Sequence, residues 1–305
     1  MRLNPIVKKD VKAQARSMKI CWGVFAYELI LALVFFLAMA FIRQQSQYSI
    51  NNIYSSMVWL YPVLAVTQFV ILGVVVPVRT ASSISGERER QTFDVMMTTS
   101  MTPFAVIMGK VFTAIVQSML FVVASMPVMA LSFVIGGVPW GYLFWFLGIA
   151  LLVSFFSASI GILCSSLCKR SIGAVIMSYG FYLVFFIGTC VPYLIYALFA
   201  ANTVNVNTST AQAPSGDGYL LFLLLNPFIY LAEFFAQVMV GESLVGEMFD
   251  VNLTINNGGI IHSLTTGYGW MILSTILFFL VSILFLYLAS RCINPIKKRG
   301  RKSGK

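Results

Sequence analysis

The densest run of reactive side chains lies in residues 79–110, RTASSISGERERQTFDVMMTTSMTPFAVIMGK, between two long apolar stretches. Gly86 is expected to break the segment, and Glu87, Arg88, Glu89 and Arg90 follow as a block of alternating charge. Phe93, Met96 and Met97 then recur at i, i+3 and i+4 beside Asp94, which puts three apolar side chains on one face of a short helix. A helix of this kind would lie parallel to a membrane. Its apolar face requires a partner: lipid, a neighbouring helix or another protein. Thr102 and Pro103 have the types of an N-cap and a first helical position, so a new helix is expected to begin there.

Other candidate chemistry is thin. Gly109–Lys110 ends like a phosphate-binding loop, but no glycine stands five positions before Gly109, and Val111 follows where a hydroxyl would bind magnesium. ATP hydrolysis by that route is not expected of this chain. His262, the only histidine, lies in a polar segment with no evident cysteine or serine partner. Apart from Glu28 the apolar stretches carry no carboxylate, which argues against an aspartyl-type intramembrane protease. Cys164 and Cys168 are four residues apart, but without histidine or carboxylate nearby they read as small helix-packing residues. The five cysteines, Cys21, Cys164, Cys168, Cys190 and Cys292, lie in or beside apolar runs, and no disulfide is expected. The sequence thus assigns no catalytic residue and no metal site, and the chain reads as no enzyme by itself.

The elements that would position the charged loop follow from composition. Hydrophobic residues make up 59% of the 305 and charged residues 10%, against about 45–50% and 25% in soluble domains. Six runs, at 20–42, 57–78, 111–135, 142–167, 172–201 and 268–290, are long enough to cross a bilayer. Backbone groups in hydrocarbon must be satisfied internally, so these runs are expected to be helices of an all-α membrane protein. Nineteen of the twenty Lys and Arg fall in 1–19, 79–110, 169–170 and 291–305, and Arg43 falls elsewhere. That asymmetry places both termini, the 79–110 loop and the basic tail 291–305 on the cytoplasmic side. The net charge of +10 is then a signal of topology and of anionic lipid, not of nucleic acid. No cleavable signal peptide is expected.

Within this frame, residues 1–19 are expected to form an amphipathic helix at the inner interface, with Val7, Val11 and Met18 near one stripe among lysines and arginines. Glu28 is the one ionisable group inside a span. It either lines a polar cavity, attracts a cationic substrate or pairs across helices, or it lies shallow enough to reach headgroups. Ser157, Gly161 and Ser165 repeat at four-residue spacing as a stripe for close helix packing. Pro127 and Pro192 are expected to kink their spans. The extracytoplasmic stretch 202–267 opens as a polar loop and turns apolar at 219–240, where Asn226 and Pro227 interrupt it. A seventh span there would carry the basic tail outside. A re-entrant pair of short helices turning at Asn226–Pro227 fits instead.

These residues resemble the permease subunits of type-two ABC exporters. That family shows a Gly-Glu-Arg/Lys-Glu run, a Thr-Leu/Phe-Glu, a Thr-Pro, and a Gly-Lys near the start of the third span. Here Gly86, Glu87, Arg88, Glu89, Thr92, Phe93, Gly109 and Lys110 match, and Asp94 keeps the charge of the usual Glu. Met96 and Met97 replace leucines, and Ser100 stands where Pro is common. The opening NPIVKKDVKAQARSMK and the stretch LLNPFIYLAEFF are similar to the family's interfacial helix and re-entrant segment.

The resemblance implies one transmembrane domain over 1–305, pairing with a second permease chain, the same or related, and a substrate path at the dimer interface. It implies that residues 87–97 act as a coupling helix on a separate ABC ATPase, which would hold the ATP and magnesium. It also implies export, and a plasma membrane of bacterial type. Spans lined by Phe, Met, Ser and Thr suit amphipathic peptides, lipids or drugs. The competing reading is a secondary transporter or channel not driven by ATP, for which Glu28 would be the residue of interest.

Overall fold

The computed structural model describes residues 12, 17–45, 56–93, 102–195, 198, 221–239, 241, 243–245 and 268–293. Among them there is helix and no strand. Among the described residues six helices are long and apolar enough to cross a membrane, at Ile20–Gln44, Leu60–Glu89, Pro103–Ala124, Gly141–Leu167, Ser171–Ile195 and Gly269–Ile293. The protein is an all-α, multi-pass membrane protein. The expected interfacial helix over 1–19, the polar loop 202–218 and the basic tail beyond Ile293 lie outside the described residues, apart from a few positions near residue 19.

The elements are α1 (Met18–Gln45), α2 (Leu60–Glu89), α3 (Pro103–Ala124), α4 (Met126–Gly136), α5 (Gly141–Leu167), α6 (Ser171–Leu183), α7 (Pro227–Met239) and α8 (Gly269–Ile293). The chain falls into two compact units, Met1–Ser178 with Val281–Lys305, and Tyr179–Leu280.

In the first unit α5 is the central element. It packs most extensively on α2 and next on α3, and 72% of its most apolar window is buried, against 17% for α1. Apolar burial cannot drive helices together in lipid, so close packing and hydrogen bonds must. The residues of α5 that face α2 are accordingly small. A Cβ placed on Gly161 would lie 2.8 Å from the Thr80 Cβ and 3.1 Å from the Ala81 nitrogen. One turn on, the Ser165 hydroxyl accepts from the backbone N–H groups of Ile84 and Ser85, both at 2.9 Å. A cluster of Ile84, Ile107, Val111, Ile162, Leu163, Leu286, Ala289 and Ile293 fills the space beside it, with Phe93 packed against its edge.

Two boundaries differ from the sequence expectation. The first concerns Gly86, which does not break the chain: α2 continues for thirty residues to Glu89. Packing overrides the weak helix propensity of glycine, because the Ser165 hydroxyl holds the preceding turn and Ser171 holds the following one through Glu89. The helix stops instead at Gln91, whose φ of 58° is left-handed. Residues 79–89 are therefore the end of the second helix rather than loop.

The second concerns the run expected as one span over 111–135. Thr102 caps α3, its hydroxyl accepting from the Ala105 nitrogen at 3.3 Å, with Pro103 in the first turn. The helix ends at Ala124, and α4 starts afresh at Met126. Pro127 has no N–H to offer the preceding turn, so the break falls just ahead of it.

In the second unit, α6 passes into a π-helical stretch at Val184–Gly188 and a turn at 189–190, ahead of Pro192. A 3-10 segment, Leu221–Leu225, precedes α7. Leu223, Leu224, Val245 and Trp270 form the core beside Cys190 and Tyr193.

Candidate functional site

The last turn of α2 carries three successive charged residues that reach three different helices. Glu87 Oε1 pairs with Lys110 Nζ of α3 at 2.6 Å, where the lysine is only 10% exposed. Arg88 donates through one guanidinium nitrogen to the Ser166 carbonyl at 2.9 Å and the Cys168 carbonyl at 3.4 Å. These carbonyls close α5, whose last four have no partner within the helix. Glu89 accepts from the Ser171 N–H at 2.9 Å and from its hydroxyl at 2.7 Å, at the first residue of α6. The signs match the helix ends: a cation meets the carbonyl end and an anion meets the N–H end.

The turn that follows is closed by its own backbone. Thr92 N–H donates to the Glu87 carbonyl at 3.0 Å and Gln91 N–H to the Arg88 carbonyl at 3.1 Å, the paired bonds of a Schellman ending. Gln91 takes the position that glycine usually fills. Arg88 also sits 5.0 Å over the Phe93 ring, which fixes the guanidinium from its free side. Arg90, Gln91 and Thr92 are exposed, as are Lys169 and Arg170 in the turn between α5 and α6. Gly86, Glu87, Arg88, Glu89, Thr92 and Phe93 are thus gathered at one helix end, whereas Asp94, Met96 and Met97 lie outside the described residues.

The remaining residues singled out from sequence stand elsewhere. Ser157, Gly161 and Ser165 are buried in α5, and the last two face α2. Glu28 lies in α1, its Oε1 buried with no hydrogen-bond partner among the described residues. Asn226 is buried and works with its whole amide. Its Oδ1 accepts from Phe228 N–H at 2.9 Å and Ile229 N–H at 3.3 Å, capping α7. Its Nδ2 donates at 2.9 Å to both the Phe186 carbonyl and the Thr189 hydroxyl, in the irregular part of the fifth span. Pro227 opens α7. Cys168 Sγ lies 3.6 Å from Met177 Sδ.

The model of a family described as ABC-2 family transporter protein matches residues 42–284, which is 243 of the 305. The chain belongs to the ABC-2 transporter family. No curated protein matches it.

Three features of this ABC-2 transporter chain were not legible as contacts in its sequence. Glu233, 0% exposed, accepts from Gln237 Nε2 at 2.9 Å and from the Val245 N–H at 3.0 Å. Gln68 of α2 meets the Ser125 hydroxyl at 3.2 Å, where α3 breaks. Thr80 stands opposite Gly161. The signal for each was a polar residue inside an apolar run, which marks a buried hydrogen bond without naming its partner. Chemically, the charged turn of α2 binds and orients helix ends.

Proposed function

We propose that this ABC-2 transporter chain is the permease subunit of an ATP-driven exporter, working as a pair of chains with the substrate path between them and docking a separate ATPase at its cytoplasmic face. One observation carries the reading. The end of α2 is anchored to three other helices of its own chain, then presents exposed Arg90, Gln91 and Thr92 ahead of the Asp94, Met96 and Met97 pattern. A segment so anchored at its base can transmit a push from a second protein. Because the Glu87 and Glu89 carboxylates are turned to Lys110 and Ser171, the surface offered to the ATPase begins after them. The charge asymmetry supports cytoplasmic termini in a plasma membrane of bacterial type. ATP and magnesium would be held by the partner.

The test is co-purification. The tagged chain, extracted in mild detergent from native membranes, is expected to bring down a P-loop ATPase in stoichiometric amount, identified by mass spectrometry. Replacing Met96 and Met97 together by Glu is expected to lose that partner while the chain still elutes as a monodisperse membrane protein. A stable, repeatable preparation free of any ATPase would reject the reading in favour of a transporter driven by other means.

A further inference from the structure

We infer that Glu87, Arg88 and Glu89 are positioning residues that join the ends of α2, α5 and α6 and the second turn of α3 into one mechanical unit, so that a displacement applied beyond Thr92 moves four helices together. The inference rests on the permease reading above, which supplies the displacement.

Successive residues on a helix point about 100° apart, so residues 87–89 sweep more than half the circumference. A helix end packed on one side has no use for three consecutive charges inside its own chain. One surrounded by three helices does. Glu87 reaches α3, Arg88 the carbonyl end of α5, and Glu89 the N–H end of α6. Arg88 and Glu89 between them hold both sides of the turn at 168–170, the only covalent link between α5 and α6. Each contact is charge-assisted, and such hydrogen bonds are the stronger kind.

The consequence concerns force. The segment at 90–102 is covalently continuous with α2 and α3 alone, so a push on it would fall on those two helices. Nothing in the chain's connectivity hands the push directly to α5 and α6, which begin more than fifty and more than eighty residues beyond Glu89. The charged turn supplies that transfer. The buried cluster of Ile84, Ile107, Val111, Ile162 and Leu163 lies next to it and ties α2, α3 and α5 over the adjoining turns, so the joint is backed by packing.

The test uses the full complex with its ATPase in lipid nanodiscs. Spin labels are placed at the exposed positions Val78 of α2 and Lys169 through a genetically encoded residue, leaving the native cysteines alone. Pulsed EPR is read without nucleotide and after trapping with ATP and vanadate. The wild-type distance distribution between these labels is expected to stay the same in both states. In Arg88→Ala with Glu89→Ala it is expected to broaden and shift on trapping while ATP hydrolysis continues. Arg88→Lys, which keeps the charge and a donor, is expected to narrow the distribution part of the way back. A wild-type distance that shifts on trapping, with ATPase bound and hydrolysing, overturns the inference and leaves the permease reading standing. So does a distance distribution in the double variant that stays as narrow and unshifted as the wild type's. Failure to recover any ATPase overturns the permease reading, and this inference with it. Should the double variant not assemble, the wild-type distances decide alone.

Discussion

The Glu89 carboxylate grips both the backbone N–H and the side-chain hydroxyl of Ser171, at 2.9 and 2.7 Å, across eighty-two residues of sequence. One acidic side chain of α2 thereby caps α6 from outside, a task that a residue just ahead of α6 would ordinarily perform. The Arg170 side chain has no oxygen to do it. Glu89→Ala and Ser171→Ala are therefore expected to be non-additive: the double variant unfolds at about the temperature of the worse single one. Glu89 is exposed, so the loss should shrink as salt is raised. Thermal unfolding in detergent at low and high ionic strength checks both points, and strictly additive losses would rule the contact out.

At Gly161 even one methyl group has no room, because its carbon would lie 2.8 Å from the Thr80 Cβ. Gly161→Ala should cost about 1–3 kcal/mol by forcing α2 and α5 apart. Thr80→Gly in the same chain should return part of the loss, and Thr80→Ala, which keeps Cβ, should return less. Unfolding midpoints of the four chains measure this.

Gly86 and Gln91 invert the usual expectation for a helix end. Gly86→Ala should be neutral or stabilising by up to about 1 kcal/mol, since its site is helical and a Cβ there would meet the Ser171 hydroxyl at 3.5 Å, an ordinary contact distance. Gln91→Gly should also stabilise by about 1 kcal/mol, because residue 91 is the one held at positive φ. Loss of stability in Gly86→Ala would mean that the helix ends where the glycine stands.

Asn226 satisfies a helix cap and a carbonyl of the irregular fifth span with one amide. Asn226→Ala should cost about 1–3 kcal/mol. Asn226→Asp keeps the cap acceptor but turns an oxygen toward the Phe186 carbonyl, so it should not restore the loss. Comparing unfolding of the two variants distinguishes an amide that joins two elements from one that only caps.

Glu28 has a buried oxygen without a hydrogen-bond partner among the described residues, in an apolar span. Removing its charge should therefore help: Glu28→Gln and Glu28→Leu are expected to unfold no earlier than wild type at neutral pH. Marked destabilisation by the Gln variant would reveal a cation paired with Glu28 in the assembled protein.

Much of the fold was legible because hydrocarbon imposes length and apolarity on every span. The Thr102–Pro103 start could be read locally, since cap chemistry needs only neighbours in sequence. The end of α2 could not. Glycine at position 86 and none at 91 pointed to the wrong residue, because the packing that keeps Gly86 helical comes from Ser165 and Ser171, far along the chain. The same holds for the charged turn. Residue types marked Glu87, Arg88 and Glu89 as a site, but only the fold reveals that they face Lys110, Ser166 and Ser171 of their own chain. Asp94, Met96 and Met97, read from the same motif, lie outside the described residues.

The contact between Gly161 and Thr80 also bears on how the protein is made. It joins the second and fourth spans, which are not sequence neighbours, so a ribosome must deliver the third before the second can meet its match. Until residues 161–165 emerge from the translocon, the groove around Thr80 and Ile84 is filled by lipid or by whatever insertase holds the nascent chain. A pause in translation within α3 or α4 would prolong that state. Quality-control proteases that survey half-built membrane proteins would find their opening there.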